Sequence, residues 1–500
     1  MLLRAALVTL AFAGAAGITA CATNTAAPAT PVPPPSSIEA STISRDLDAV
    51  FNDPILSRAL VGVHIESLRD GRTIYSRNAG ARVIPASSLK IVTAAVAAER
   101  LGWDHRFETR LEISGTVVDG VLHGNVIVVG GGDPTIGARD FAGGPLFEEW
   151  AAALREAGIT GVSGSIIGDD NAFDDEPLGA GWAWDYLADG YAAPSGALSY
   201  NENVVVLRVA PADAPGAPAR VEFGPPGHGL LLSNHVATGA AGTTASLSVQ
   251  RAPGSRVVTV TGQIPAGGNP IIRTTAVVNP TQFFAEGFRL LLASRGIGVR
   301  MGAADIDDEP GIDSQLRRRT LATHLSEPLS AITAHMMKVS QNFYGEMLIK
   351  ALGRSPTQPG STERGRQVVR ATLESWGMPA DALVMYDGSG LSRYNYVTAE
   401  LLVGVLRRVW HDERLRGPFA TALPVAGHDG TLGARMTEAL RRRVQAKTGT
   451  ISNVRSLAGY LETNAGEKLA FTMIANHFVA QNAQVDALME RALERVIASP

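Results

Sequence analysis

The stretch ALVGVHIESLRDGRTIYSRN (59–78) alternates apolar and polar positions on either side of Asp70-Gly71. A period of two around a turn dipeptide predicts a β-hairpin. The pattern then changes. Behind Pro85 an Ala/Val-rich run reaches about Leu101 and reads as a helix with serines in its capping region. From Phe107 to Arg319 glycine and proline multiply. Short β-type runs dominate there, among them TVVDGVLHGNVIVVGG, SGSIIGD and SRVVTVTGQI. Helical periodicity returns in PLSAITAHMMKVSQNFYGEMLIKALG, RQVVRATLESWG and AELLVGVLRRVW. Near the C-terminus RRVQAKTGTI, RSLAGYLET and KLAFTMIANHF read as three antiparallel strands, and VDALMERALERVIA as a closing helix. Strands at both ends with helices between them predict an α+β domain (38–106 and 320–500), interrupted by a mostly β insertion of one or two modules (107–319).

The first 21 residues carry one positive charge at Arg4, an apolar run and small residues before Cys21, the pattern of an export signal. The stretch ITAC (18–21) resembles a bacterial lipoprotein cleavage box, which implies a lipid on Cys21 and attachment to a membrane. Cys21 is the only cysteine, so the mature fold is expected to hold no internal disulfide and no thiolate metal site. Residues 22–37 are rich in Pro, Ala, Ser and Thr and read as a tether. Across 500 residues, 45% hydrophobic and 18% charged composition describes a folded protein, and a net charge of −4 without a basic block speaks against nucleic acid as a partner.

Three short stretches carry candidate chemistry. In PASSLKIVTAA, Ser87 precedes Lys90 by three positions, one helical turn. A neutral lysine there would take the serine proton, provided burial or cationic neighbours bring its pKa down toward about 7–8. Of 44 basic residues only five are lysines (90, 338, 350, 447 and 468), the other 39 being arginine. Arginine cannot act as a base, so a lysine in this chain is informative. KVSQN offers the Ser340 hydroxyl as a proton relay and the Asn342 amide for a peptide group. AKTGT places Lys447 and Thr448 on a strand, with Gly449 allowing a substrate backbone to come close, and the Thr448 and Thr450 hydroxyls beside the Lys447 ammonium suit a carboxylate. Read singly, these are a helix cap, a Ser/Thr turn and a strand-edge lysine.

Together and in this order, serine-x-x-lysine, serine-x-asparagine and lysine-threonine-glycine resemble the marks of penicillin-binding proteins and serine β-lactamases, with Gln341 where aspartate often stands. The separation of 253 positions from Ser87 to Ser340 is too wide for a plain β-lactamase. It resembles the class C low-molecular-mass penicillin-binding proteins, D-alanyl-D-alanine carboxypeptidases and endopeptidases with large insertions after the first motif. GGGDPT (130–135), YDGSGLSRYN (386–395), LPVAGHDGTLGARM (423–436) and SLAGYLET (456–463) also look like that family. The resemblance implies a penicillin-binding/serine β-lactamase-like domain, an antiparallel sheet with helices. It further implies an exported periplasmic or cell-envelope serine peptidase that cuts peptidoglycan peptides ending in D-Ala-D-Ala. Ser87 would attack, Lys90 act as base, Ser340 pass the proton to the leaving amine and Asn342 bind the acyl-side amide. Lys447, Thr448 and Thr450 would hold the carboxylate, and the backbone N–H groups of Ser87 and Thr450 the oxyanion. β-Lactam antibiotics would be covalent inhibitors, and neither cofactor nor metal is implied. A β-lactamase and a non-catalytic penicillin- or peptidoglycan-binding lipoprotein are the rival readings. Ser389 between two glycines reads as part of a turn walling the cleft, VIVVGGGDPT as a turn ending a strand, and Trp182 and Trp184 as core packing or a loop anchor.

Overall fold

The computed structural model describes residues 42–137, 144–308 and 317–498; the export signal, Cys21 and the tether lie outside them. The hairpin forms as the alternation predicts, from Leu60–Ser67 and Thr73–Arg77, with Gly71 at φ +76° in its turn. It is half of a larger sheet. Five antiparallel strands run in the order Val444–Ile451, Val454–Glu462, Lys468–Asn476, Leu60–Ser67, Thr73–Arg77. The first strand is thus paired with the last along its whole length, Leu60 opposite Asn476 and Ser67 opposite Leu469.

Both faces of this sheet are covered, so its inner strands are buried at nearly every position rather than at alternate ones. On one face Leu47, Val50 and Phe51 of the helix Thr42–Phe51 and Leu488, Leu493 and Val496 of the helix Asn482–Ala498 pack with Val63, Ile65 and Met473. On the other lies a helical layer that includes Leu329–Lys338, Asn342–Leu352, Thr362–Ser375 and Ala399–His411. At its centre is the helix Lys90–Leu101, buried from Lys90 through Ala98. Alanines suit that position, because small side chains let helices approach from several sides.

Two extended features tie the start of the central helix to the sheet. The Asn476 side chain, on the last strand, accepts from Ile84 N (2.7 Å) and donates to Ile84 O (3.1 Å), gripping the segment just before Ser87. Ser456 Oγ donates to Pro85 O at 2.7 Å.

Between residues 108 and 325 the chain builds a seven-stranded sheet and two three-stranded sheets around a separate apolar cluster. The hairpin Glu108–Val118/Val121–Val129 matches the sequence reading, and the glycines 130–132 follow its second strand. The helices Gly144–Glu156 and Pro280–Ser294 were not expected there. The second starts on Asn279, whose side chain accepts from Gln282 N, with Pro280 in the first turn. The strand Arg318–Leu325 pairs with Glu108–Val118, so the boundary expected at residue 319 falls inside a strand.

Candidate active site

Ser87 lies in a single 3₁₀ turn, Ala86–Leu89, that leads directly into the central helix. In a 3₁₀ turn the side chains at i and i+3 eclipse, which sets Lys90 squarely over Ser87. Lys90 Nζ is 2.8 Å from Ser87 Oγ. No side chain caps this turn or the helix; Ser88 Oγ is instead 2.7 Å from Ser456 Oγ. Lys90 is fully buried, so a helix cap followed by a surface lysine does not describe the pair.

The remaining Lys90 partners are acceptors only. Asn342 Oδ1 lies at 2.6 Å, its orientation fixed because Asn342 Nδ2 donates to Tyr191 O at 2.9 Å. The Ser389 carbonyl lies at 2.9 Å. A neutral amine has two N–H bonds and one lone pair. With both N–H groups taken by fixed oxygens, the lone pair faces the Ser87 hydroxyl. Burial brings the Lys90 pKa down to about 7, against the upward pull of Asp387 and Glu346.

The helices Leu329–Lys338 and Asn342–Leu352 meet at Ser340, which has φ +64°. This left-handed residue breaks the helical run and presents its Oγ 2.8 Å from Lys447 Nζ. Lys447, on the strand Val444–Ile451, also donates to Thr448 O at 2.7 Å. Burial and then the neighbouring Lys90 hold the Lys447 pKa well below the usual lysine range. Thr448 Oγ1 donates to Thr431 Oγ1 at 2.8 Å, and the exposed Thr450 hydroxyl is held by the Arg455 guanidinium. Arg455 Nε in turn donates to Asp486 Oδ1 at 3.0 Å. At Gly449 a Cβ would stand 2.2 Å from Ser456 Oγ and 2.9 Å from both Pro85 O and Ser87 N. The space that glycine leaves is filled by the protein's own nucleophile turn, where sequence reading expected a substrate backbone.

A fourth segment, Asp387–Asn395, which the sequence marks as a family-like stretch and a turn walling the cleft, is held by polar anchors the sequence does not reveal. Glu346 accepts from Gly388 N (3.1 Å) and Ser389 N (2.9 Å), and Thr93 Oγ1 donates to Gly388 O (2.7 Å). The fully buried Asp387 carboxylate accepts from Gly390 N (2.8 Å), Ser392 N (2.5 Å), Asn395 Nδ2 (2.7 Å) and Trp182 Nε1 (2.9 Å). These bonds fix the Ser389 carbonyl that Lys90 meets. Gly390, at φ +88°, sits so close that a Cβ would come within 1.9 Å of Ala86 O. Burial, then the nearby Asp387, raises the Glu346 pKa. Trp182 is therefore the loop anchor, whereas Trp184 is 72% exposed and packs in no core.

These parts enclose a cavity of about 410 Å³, lined by Ser87, Ser340, Asn342, Thr450, Tyr186 and Tyr191 among others. None of the described residues lining it is a carboxylate. Burial, then a hydrogen bond with Asp189, raises the Tyr191 pKa, so its phenol keeps its proton. The arrangement brings together two hydroxyl–lysine pairs, Ser87 with Lys90 and Ser340 with Lys447.

The D-Ala-D-Ala carboxypeptidase 3 (S13) family matches residues 43–496. A D-alanyl-D-alanine carboxypeptidase of Actinomadura sp. (strain R39) is 34% identical over 446 residues, covering 87% of this chain and 81% of the relative. The D-alanyl-D-alanine carboxypeptidase DacB of Haemophilus influenzae is 28% identical, covering 84% and 85%. The crystal structure of penicillin-binding protein 4 (dacB) from Haemophilus influenzae superposes with a TM-score of 0.77 at 26% identity, over 92% of this chain and all of that one. The same protein complexed with a β-lactam gives 0.71 at 25% identity, over 92% and 98%.

Proposed function

This chain belongs to the D-Ala-D-Ala carboxypeptidase 3 (S13) family, and from that premise we propose how its residues divide the work of a penicillin-sensitive serine peptidase of the cell envelope. The substrate is a peptidoglycan stem peptide ending in D-Ala-D-Ala. Ser87 Oγ attacks the carbonyl carbon between the two D-alanines while Lys90 Nζ takes its proton. The carbon–nitrogen bond then breaks as the proton taken by Lys90 passes through the Ser340 hydroxyl to the leaving amine, and D-alanine departs. Water resolves the Ser87 ester. Where the leaving amine belongs to a cross-link, the same steps make an endopeptidase. Thr448, Thr450 and Lys447 receive the terminal carboxylate, and a bound anion would draw Lys447 back to its charged form. Asn342 orients Lys90 before substrate arrives; to bind the acyl-side amide, its Nδ2 exchanges the Tyr191 carbonyl for the substrate.

The observation that carries this reading is the contact of a buried lysine with a serine hydroxyl, its other partners all acceptors. The likeness to a penicillin-binding protein solved in complex with a β-lactam supports penicillin sensitivity. Mass spectrometry after exposure to benzylpenicillin tests it. A long-lived adduct on the Ser87 peptide, absent in Ser87→Ala, is expected together with D-alanine release from a D-Ala-D-Ala peptide. Labelling undiminished in Ser87→Ala would exclude Ser87 as nucleophile. The export signal and a lipid on Cys21 complete the proposal: the enzyme works outside the cytoplasm, tethered by residues 22–37. No described helix is long and apolar enough to cross a membrane.

A further inference from the structure

We propose that Glu202 is a positioning residue for the reaction, a brace from the inserted region that clamps Gln341 and so holds Ser340 and Asn342 against the two lysines. This rests on the roles given to those residues above.

The observation starts with backbone strain. Asn201, Glu202 and Asn203 have φ of +51°, +54° and +56°, three left-handed residues in succession with no glycine among them. Asparagine tolerates this region; glutamate has no local bond to compensate. Strain of this kind persists only where the surroundings over-determine it. Here they do. Asn203 Nδ2 donates to Pro194 O (2.8 Å) and Ser199 Oγ (3.1 Å), and its Oδ1 accepts from Tyr200 N (3.1 Å). Asn201 Nδ2 donates to Val204 O (2.8 Å), and Asn201 N to Ile136 O (2.9 Å).

What the turn achieves is the placement of one carboxylate. Gln341 Nε2 donates to Glu202 Oε2, and Glu202 Oε1 lies 3.2 Å from His335 Nε2. His335 lies in the last turn of the helix before Ser340, with its ring against Tyr344 (4.8 Å between centroids), and Gln341 opens the helix after it. Glu202 therefore spans both sides of the left-handed Ser340, where one helix ends and the next begins. Its side chain is only 16% exposed, so the contact is sheltered from water.

This brace also accounts for the residue between Ser340 and Asn342. An aspartate there would set a second carboxylate against Glu202, and like charges at that range repel. Glutamine reaches the carboxylate and donates to it. Glu202 touches no reacting atom; it acts by keeping the Ser340 hydroxyl and Asn342 amide where the lysines need them.

The test is a charge exchange. Acylation by a fluorescent penicillin and D-alanine release are measured for the wild type, Gln341→Glu, Glu202→Ala and the double variant Glu202→Gln/Gln341→Glu, with thermal unfolding of each. Gln341→Glu should slow acylation roughly tenfold or more, because a small displacement of reacting groups is amplified in rate. The double variant restores one amide–carboxylate bond and should recover to within about fivefold of wild type. Glu202→Ala should slow the acylation step about tenfold while leaving initial penicillin binding little changed. Wild-type rates in Gln341→Glu, or a double variant no faster than Gln341→Glu, would overturn the brace. Should Gln341→Glu fail to fold, a wild-type acylation rate in Glu202→Ala overturns it instead. A wild type that acylates at Ser87 without this rescue sinks only the brace; a wild type not acylated at Ser87 sinks the reading beneath it.

Discussion

Lys90 shows what one side chain contributes and what the sequence reveals of it. Its pKa of about 7 means that below neutrality the ammonium form dominates and cannot take the Ser87 proton. Acylation should therefore rise as pH climbs through about 7 and level off above it. Lys90→Arg keeps the charge but cannot lose it. It should cut the acylation rate by about 10³-fold or more, a general-base contribution lying in the range of roughly 10²–10⁴. Only a mild loss, measured by penicillin labelling across pH 5–9, would make Lys90 an electrostatic partner instead. The lysine was legible because lysines are so few, and the three short motifs named Ser87, Ser340, Asn342 and Lys447 outright. Glu346, Asp387 and Glu202 were not legible. A carboxylate in a helix or a glycine-rich loop reads as a solvated charge, and what buries these three comes from distant segments. One signal for Glu346 was present: it follows Asn342 by four positions, on the same helix face.

At the scale of elements, alternation located the half-exposed edge strand Thr73–Arg77, and apolar runs located the inner strands covered on both faces, to within a few residues. The helix Gly144–Glu156 was missed although Phe147, Trp150, Ala151 and Leu154 stand at helical spacing. The surrounding glycine and proline hid it. The loop Asp387–Asn395 is an element without regular structure, and its shape depends on one carboxylate with four donors. Asp387→Asn puts an NH₂ group where two of those donors point, leaving buried donors unsatisfied at about 1–3 kcal/mol each. The expected result is a loss of about 3 kcal/mol in denaturant unfolding, with acylation reduced even where the variant is folded, because the Ser389 carbonyl is released. Unchanged acylation would show that this carbonyl does not orient Lys90.

Across the whole molecule, the sheet joins segments from the two ends of the chain while the region between residues 108 and 325 forms its own sheets. We propose that the catalytic body comprises residues 42–107 and 326–498, the strand Arg318–Leu325 belonging to the insertion. Such a boundary is hard to see in sequence, because a strand reads the same whichever sheet it joins. The proposed export signal and lipid anchor are tested at this scale too. Wild-type protein should sediment with membranes and carry lipid on Cys21 in its N-terminal peptide, whereas Cys21→Ser should be released. Membrane retention of that variant would remove the lipid anchor from the proposal.

The grip of Asn476 on Ile84 has a temporal meaning. A ribosome or an export channel delivers the N-terminal hydroxyl long before the final strand that frames it. A half-delivered chain therefore carries both reactive groups of the first motif before the strand Lys468–Asn476 exists, and the turn that holds them gains this grip only once that strand is in place.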